Sequence, residues 1–167
     1  MNKDEPLDIY DLRILNSIIQ NPEMRLTDIG KYALMASAPS ISKRKKKLYD
    51  SGIIKSLVPI LDYELLGFKY PVIILVKAKF GKNYITELGE KLSNLPGAIW
   101  VYNISGDIDF IVYAVYRDRT EYLKVLDIIT EYDKIERTDT RQLHRIIKDT
   151  NFQTLVDTMV KYKNEFR

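Results

Sequence analysis

Along the first fifty residues apolar positions recur at helical spacing, and after about residue 70 they crowd into short, β-branched runs. In "LDIYDLRILNSIIQ" the residues Leu12, Leu15 and Ile19 share one face of a helix, Asp8 is placed to cap it, and Leu7 to pack onto Leu12. Asn21-Pro22 stops that helix. Thr27 or Asp28 can open a second one carrying Ile29 and Tyr32, and "LMASAP" turns into a third. The third helix starts near Pro39, with Ser37 or Ala38 before it, and stops at Gly52. Three short helices are therefore expected over 1–54.

The period then changes. "YPVIILVKAKF", "AIWVYNIS", "DIDFIVYAVY" and "ERTDTRQLHRIIK" read as strands. Between them, "KNYITELGEKLSNL" reads as a helix with Ile85, Leu88 and Leu92 inward, and "TEYLKVLDIITEY" as one with Leu123, Leu126 and Ile129 inward. The order strand, helix, strand, strand, helix, strand predicts a ferredoxin-like antiparallel sheet backed by two helices over 70–148. Such a sheet leaves one face for another copy. A linking strand is expected at "KSLVPIL" within a hinge over 55–69, and a terminal helix over 149–167 with Leu155 and Met159 inward. The expected class is α+β: a three-helix N-terminal domain and a C-terminal βαββαβ domain with an extra C-terminal helix.

Charge sharpens this picture. The 167 residues carry 26 Lys and Arg against 23 Asp and Glu, a formal +3. Residues 1–55 hold 10 basic and 7 acidic residues, whereas 56–167 hold 16 of each, so the whole excess sits on the helical third. Within it, "SISKRKKKLYD" places five consecutive cations, Lys43 to Lys47, and no acid occurs between 29 and 49. On a helix Ser40, Lys43, Arg44 and Lys47 share a face, opposite Ile41 and Leu48, with Lys45 able to bury its stem beside those two. A solvated surface helix would interleave acids for i, i+4 pairing, and this one does not. The pattern favours a nucleic-acid face on the last of three helices, the helix-turn-helix plan. The bland alternative is a generic bundle with a solvated charge run.

Composition excludes other chemistry. With no cysteine there are no disulfides, thiolate metal sites or cysteine nucleophile, and one histidine, His144, offers no Ser-His-acid set. No metal and no cofactor is expected. No apolar run approaches the roughly 20 residues of a membrane helix, and no apolar leader precedes "MNKDEP", so a cytoplasmic protein without a membrane partner is expected.

Five stretches in order, "LDIYDLRIL", "SISKRKKKLYDSGII", "LDYELLGF", "VYNISGDIDFIV" and "IERTDTRQL", resemble the Lrp/AsnC, or feast/famine, transcriptional regulators over about residues 7–147. The chain departs from the usual pattern at Gly30, Met35, Lys45 and Lys134, where that family has Ala, Gly, an aliphatic residue and Gly. The resemblance implies a DNA-binding N-terminal domain, a C-terminal effector and oligomerisation domain, and dimers that associate into tetramers or octamers. It implies double-stranded DNA with a palindromic operator as partner, and an amino acid or related metabolite bound between dimers.

On the cationic helix, Arg44 and Lys43 are candidates for base edges and Ser40 for either base or backbone. Lys46 and Lys47 suit phosphates, and Ser37 stands at the helix entry. The effector candidates implied by the resemblance are Ile104, Gly106, Asp107 and Asp109 at the corner, with Thr138 and Thr140. Gly106 allows close backbone approach, an aspartate can meet an ammonium, and two threonines at i, i+2 point the same way. An ordinary Gly-Asp turn and ordinary strand threonines would look the same.

Two other classes stay open. Siroheme decarboxylases share the two-domain architecture, but they need imidazole and cationic groups around a tetrapyrrole and have no use for a cationic helix. A ligand-independent architectural protein that coats DNA would carry the same composition.

Overall fold

The computed structural model describes residues 7–35, 37–148 and 152–165. The polar start at 1–6, Ala36 in the turn before the basic run and the beginning of the tail at 149–151 lie outside the described residues. Those described form six helices and one four-stranded antiparallel sheet, an α+β chain. They divide into two compact units, one made of the residues up to Ile60 with those from Lys148 onward, the other of Leu61–Ile147.

The first unit holds α1 (Ile9–Gln20), α2 (Leu26–Ala33) and α3 (Ala38–Asp50), joined by the last helix of the chain, α6 (Gln153–Glu165). α1 opens on a capping box: the Asp8 carboxylate accepts the Asp11 N–H at 2.8 Å and the Asp11 carboxylate accepts the Asp8 N–H at 3.2 Å. α2 begins at Leu26, before Thr27 and Asp28, with no side-chain cap, and Asp28 instead pairs with Lys31 at 3.4 Å. It ends on Leu34 in the left-handed region, φ 57°. A leucine thus takes the backbone position that glycine usually supplies, one residue before Met35.

Ile14, Ile18, Ile29, Ala33, Ile41, Leu48 and Ile54 form the core of this unit. Leu12 is fully buried as expected, but Leu15 and Ile19 are only half-buried, and Ile14 and Ile18 take their place. The reason is that α1 is packed on more than one side, by α2, α3 and α6, so the buried arc is wider than one stripe. α6 buries Val156 at 2% exposure and leaves Leu155 57% exposed, with Met159 half-buried, so the inward face is shifted from the expected one.

The second unit runs β1 (Tyr70–Ala78), α4 (Tyr84–Ser93), β2 (Ala98–Asn103), β3 (Phe110–Tyr116), α5 (Arg119–Thr130) and β4 (Ile135–Gln142), with sheet order β2-β3-β1-β4. Val72, Ile74, Val76, Phe110, Val112 and Ala114 face Leu88, Leu92, Tyr122, Val125 and Ile129 in its core. Ile85 and Leu123 are solvent-facing instead, because on each helix the buried arc is centred one position away from them. The other sheet face carries Ile73, Leu75, Ile111, Tyr113, Trp100 and Tyr102. There the Trp100 ring lies 4.9 Å from Tyr102 and 5.4 Å from Tyr113.

The strand expected at "KSLVPIL" does not form: 55–61 has no regular structure, and Val58 and Ile60 are 74% and 69% exposed. A strand exists only through a neighbour that takes its N–H and C=O groups, and the single chain provides this segment none.

Candidate nucleic-acid interface and ligand corner

α3 is entered through Ser37 with extended backbone, has Pro39 in its first turn, and is held to the core by Ile41 and Leu48. Those two fix which side faces out. Ser37, Ser40, Lys43 and Lys46 are exposed, and the Ser40 hydroxyl donates to the Ser37 hydroxyl at 3.3 Å. Arg44, Lys45 and Lys47 are half-buried. The structure thus gathers all six candidates of the basic helix on α3 and its entry, but divides them between an outer surface and a shoulder.

The shoulder is occupied. Arg44 Nη1 donates to Asp8 Oδ2 at 2.7 Å and to Asp11 Oδ1 at 2.6 Å, and its Cζ lies 5.6 Å from the Tyr10 ring centroid. Lys47 Nζ lies 4.0 Å from Asp11 Oδ2. Asp11 is 1% exposed, so its charge is balanced by the cations on α3 and not by water. Partial burial by itself would raise the Asp8 carboxyl, but the Asp11 N–H and the Arg44 guanidinium outweigh it and the net displacement is below the ordinary 3.8. For Arg44, burial lowers and the two carboxylates raise, with a net increase. Sequence reading missed Asp8 and Asp11 as partners of the basic run. A signal was available, since the acids missing between 29 and 49 are found at the start of α1, as Asp8 and Asp11.

In the second unit, the corner between β2 and β3 carries Ile104, Gly106, Asp107 and Asp109. Gly106 has φ 126°, open only to glycine, and a Cβ there would meet nothing within 4 Å, so the backbone is accessible. Asp107 is exposed. Asp109 is not: at 6% exposure its carboxylate accepts the Ala78 N–H at 2.9 Å and pairs with Lys77 Nζ at 3.2 Å. The Ile104 N–H donates to the Asp109 carbonyl at 2.9 Å and the Asp109 N–H to the Val76 carbonyl at 3.0 Å, which closes the corner onto β1.

Thr138 and Thr140 pair with Val76 and Ile74, so both side chains stand on the helix-covered face. The Tyr122 hydroxyl bonds to Thr140 Oγ1 at 2.8 Å. Thr138 and Asp109 flank Val76 on its two sides, but the structure does not bring their side chains together: Asp109 pairs with Lys77 on the opposite sheet face from Thr138, and Thr140 lies two positions further along, engaged with α5. Lys77, paired with Asp109 beside this corner, and Tyr122, paired with Thr140 further along the sheet, are residues that sequence reading did not single out.

A family profile described as the Lrp/AsnC ligand binding domain matches residues 71–151. The HTH-type transcriptional regulator FL11 of Pyrococcus horikoshii is 32% identical over 145 residues, covering 87% of this chain and 94% of that one.

The chain belongs to the Lrp/AsnC family of transcriptional regulators.

Among further Lrp/AsnC relatives, the leucine-responsive regulatory protein of Haemophilus influenzae is 26% identical over 155 residues, covering 92% of this chain and 93% of its own. Two solved structures share the fold at lower identity. A transcriptional regulator of Neisseria meningitidis in complex with L-Met superposes with TM-score 0.81 at 19% identity, over 90% of this chain and 99% of that one. AsnC of E. coli gives 0.80 at 22%, over 89% and 99%. Among the described residues, no helix is long and apolar enough to cross a membrane.

Proposed function

We propose that this Lrp/AsnC member is a cytoplasmic, sequence-specific DNA-binding regulator whose first unit is a helix-turn-helix domain. Its second unit, in this reading, is a ferredoxin-like effector and oligomerisation domain. The observation that carries the DNA reading is the outer surface of α3, where Ser40, Lys43 and Lys46 are exposed and no acid lies between 29 and 49. Lys43 and Ser40 meet base edges, Lys46 and Lys47 meet phosphates, and Ser37 stands at the entry. A two-fold dimer presents two α3 helices to half-sites about 34 Å apart or a multiple of it, so the operator is palindromic. The aromatic sheet face, on which Tyr113 is buried, Trp100 half-buried and Tyr102 exposed, supports a homodimer or a larger even assembly.

The corner of Ile104, Gly106 and Asp107, closed beneath by the buried Asp109, is the proposed effector site. Accessible amides at Gly106 suit a carboxylate, the exposed Asp107 suits an ammonium, and together they describe an amino acid or a relative of one. The L-Met bound to the Neisseria meningitidis regulator is the same class of ligand. A ligand favouring one assembly over another shifts the population and with it the spacing of the α3 helices.

Charge reversal tests the DNA reading. Lys43→Glu with Lys46→Glu is expected to abolish retention of a fragment selected from random sequence by the wild-type protein, and unchanged retention in a gel would refute it. On the wild type, log K falls by about 0.9 per log unit of salt for each phosphate neutralised. Discrete protected palindromes in a footprint support a regulator, and uniform coverage supports packaging. For the corner, a thermal-shift screen of the twenty amino acids should show a rise for at least one, and Asp107→Asn should remove that rise. A flat screen counts against the effector site.

A further inference from the structure

Rotation of α3 about its axis decides which side chains meet the duplex. At 100° per residue, Lys43 and Lys46 each lie about 150° from the Ile41–Leu48 line, whereas Arg44 lies only about 50° from it. Ile41 and Leu48 choose the inward side of α3, but they lie close to a single line along its axis and so resist roll least. Arg44 is the polar pin against that: its guanidinium is ion-paired to Asp8 and Asp11 at 2.7 and 2.6 Å and lies over Tyr10. The N-cap of α1 and two residues of its first turn therefore surround one residue of α3. Withdrawing Arg44 toward a base would leave the Asp11 carboxylate, 1% exposed, with Lys47 at 4.0 Å as its remaining cation. Uncovering a buried charge is costly, so the guanidinium is better held where it is. At its other end this acidic turn is also tied down: Lys163 of α6 donates to the Leu7 carbonyl, next to Asp8.

We propose that Arg44 serves DNA recognition as a positioning residue, gripped from α1 by Asp8 and Asp11 so that α3 holds the rotation presenting Ser40, Lys43 and Lys46. The inference rests on the reading of α3 as the DNA-facing helix. It assigns to two aspartates, which by charge alone repel DNA, a role in binding it.

That sign gives the test. Binding to the selected fragment is measured against salt for Arg44→Met, for Asp8→Asn with Asp11→Asn, and for all three together. Asparagine keeps the capping acceptor of α1 while removing the charge. Positioning predicts a loss of about tenfold for R44M with the salt slope unchanged, and a similar loss for the paired asparagines despite two fewer negative charges. It also predicts no further loss in the triple variant. A slope reduced by about one in R44M, with tighter binding by the paired asparagines, overturns it in favour of direct phosphate or base contact. If the paired asparagines fail to fold by circular dichroism, the R44M affinity and slope decide alone: loss at unchanged slope supports the proposal, and either a reduced slope or undiminished affinity overturns it. The Lys43→Glu, Lys46→Glu protein in the same assay separates the two failures. If it releases DNA while R44M binds as wild type, the positioning role falls and the DNA reading stands. If it binds as wild type, the DNA reading falls and the positioning role with it.

Discussion

Among the described residues each unit buries one aspartate against a cationic partner, and the two do different work. Asp11, 1% exposed, reaches from α1 to Arg44, 33 residues away on another helix. Asp109, 6% exposed, closes a corner inside the sheet, holding Lys77 and the Ala78 N–H of neighbouring β1. Asp11 joins two helices that no hydrogen-bond ladder connects and that are otherwise held by side-chain packing. Asp109 reinforces strands that a hydrogen-bond ladder already fixes. A buried carboxylate can thus orient an element in one place and seal a turn in another, and the sequence neighbourhood alone does not say which.

The largest effect is expected at Asp109. Asp109→Ala strands Lys77 and the Ala78 N–H, and a loss of about 3 kcal/mol is expected, the low end for a severed buried pair because the Lys77 side chain keeps 18% exposure. Hydrogen exchange should rise at β1 and β3 while the amides of α1 to α3 keep their protection. A smaller effect comes from Gly30→Ala in the first unit. A Cβ there would meet the Ile41 side chain and the Met35 carbonyl, both at 2.8 Å, and overpacking of this kind costs about 1–3 kcal/mol, partly offset by helix propensity. Denaturant melting should show the loss, and no change would mean that α2 and α3 separate more easily than this packing implies.

The smallest effects lie at opposite ends of the pH scale. Asp8 has a lowered folded value, so its contribution is present above the ordinary 3.8 and is lost as pH falls through the lower value, loosening the first unit on the acid side. Tyr116 is 1% exposed, and burial first, then the charges of Tyr122 and Glu121, push it from 10.0 up to about 12. Its contribution is complete below pH 10 and declines toward 12, loosening the second unit on the alkaline side. Tyr116→Phe should flatten only the alkaline limb of a melting-temperature profile.

Much of the fold was legible because it is local. Asp8 caps α1, the β-branched runs became β1 and β3, and the Ser105-Gly106-Asp107 corner lies between β2 and β3. What was not legible depended on partners. Leu15, Ile85, Leu123 and Leu155 carry helical spacing yet are not the most buried positions, since periodicity gives a face only to within a residue and the neighbour decides its centre. The segment 55–61 has strand composition and no strand to pair with. Of the candidate residues, Thr140 and Asp109 suit a ligand by type, but the fold has tied one to Tyr122 and the other to Lys77.

By itself the sequence determined an α+β chain with its positive excess on the third helix, because capping, periodicity and charge are properties of short windows. Only the tertiary structure decided that α6 returns to α1, that Arg44 is turned onto Asp8 and Asp11 while Lys43 and Lys46 face outward, and which corner groups stay accessible. The physical reason is that the fate of a charged side chain depends on what is desolvated beside it, and that is set by elements far away in sequence.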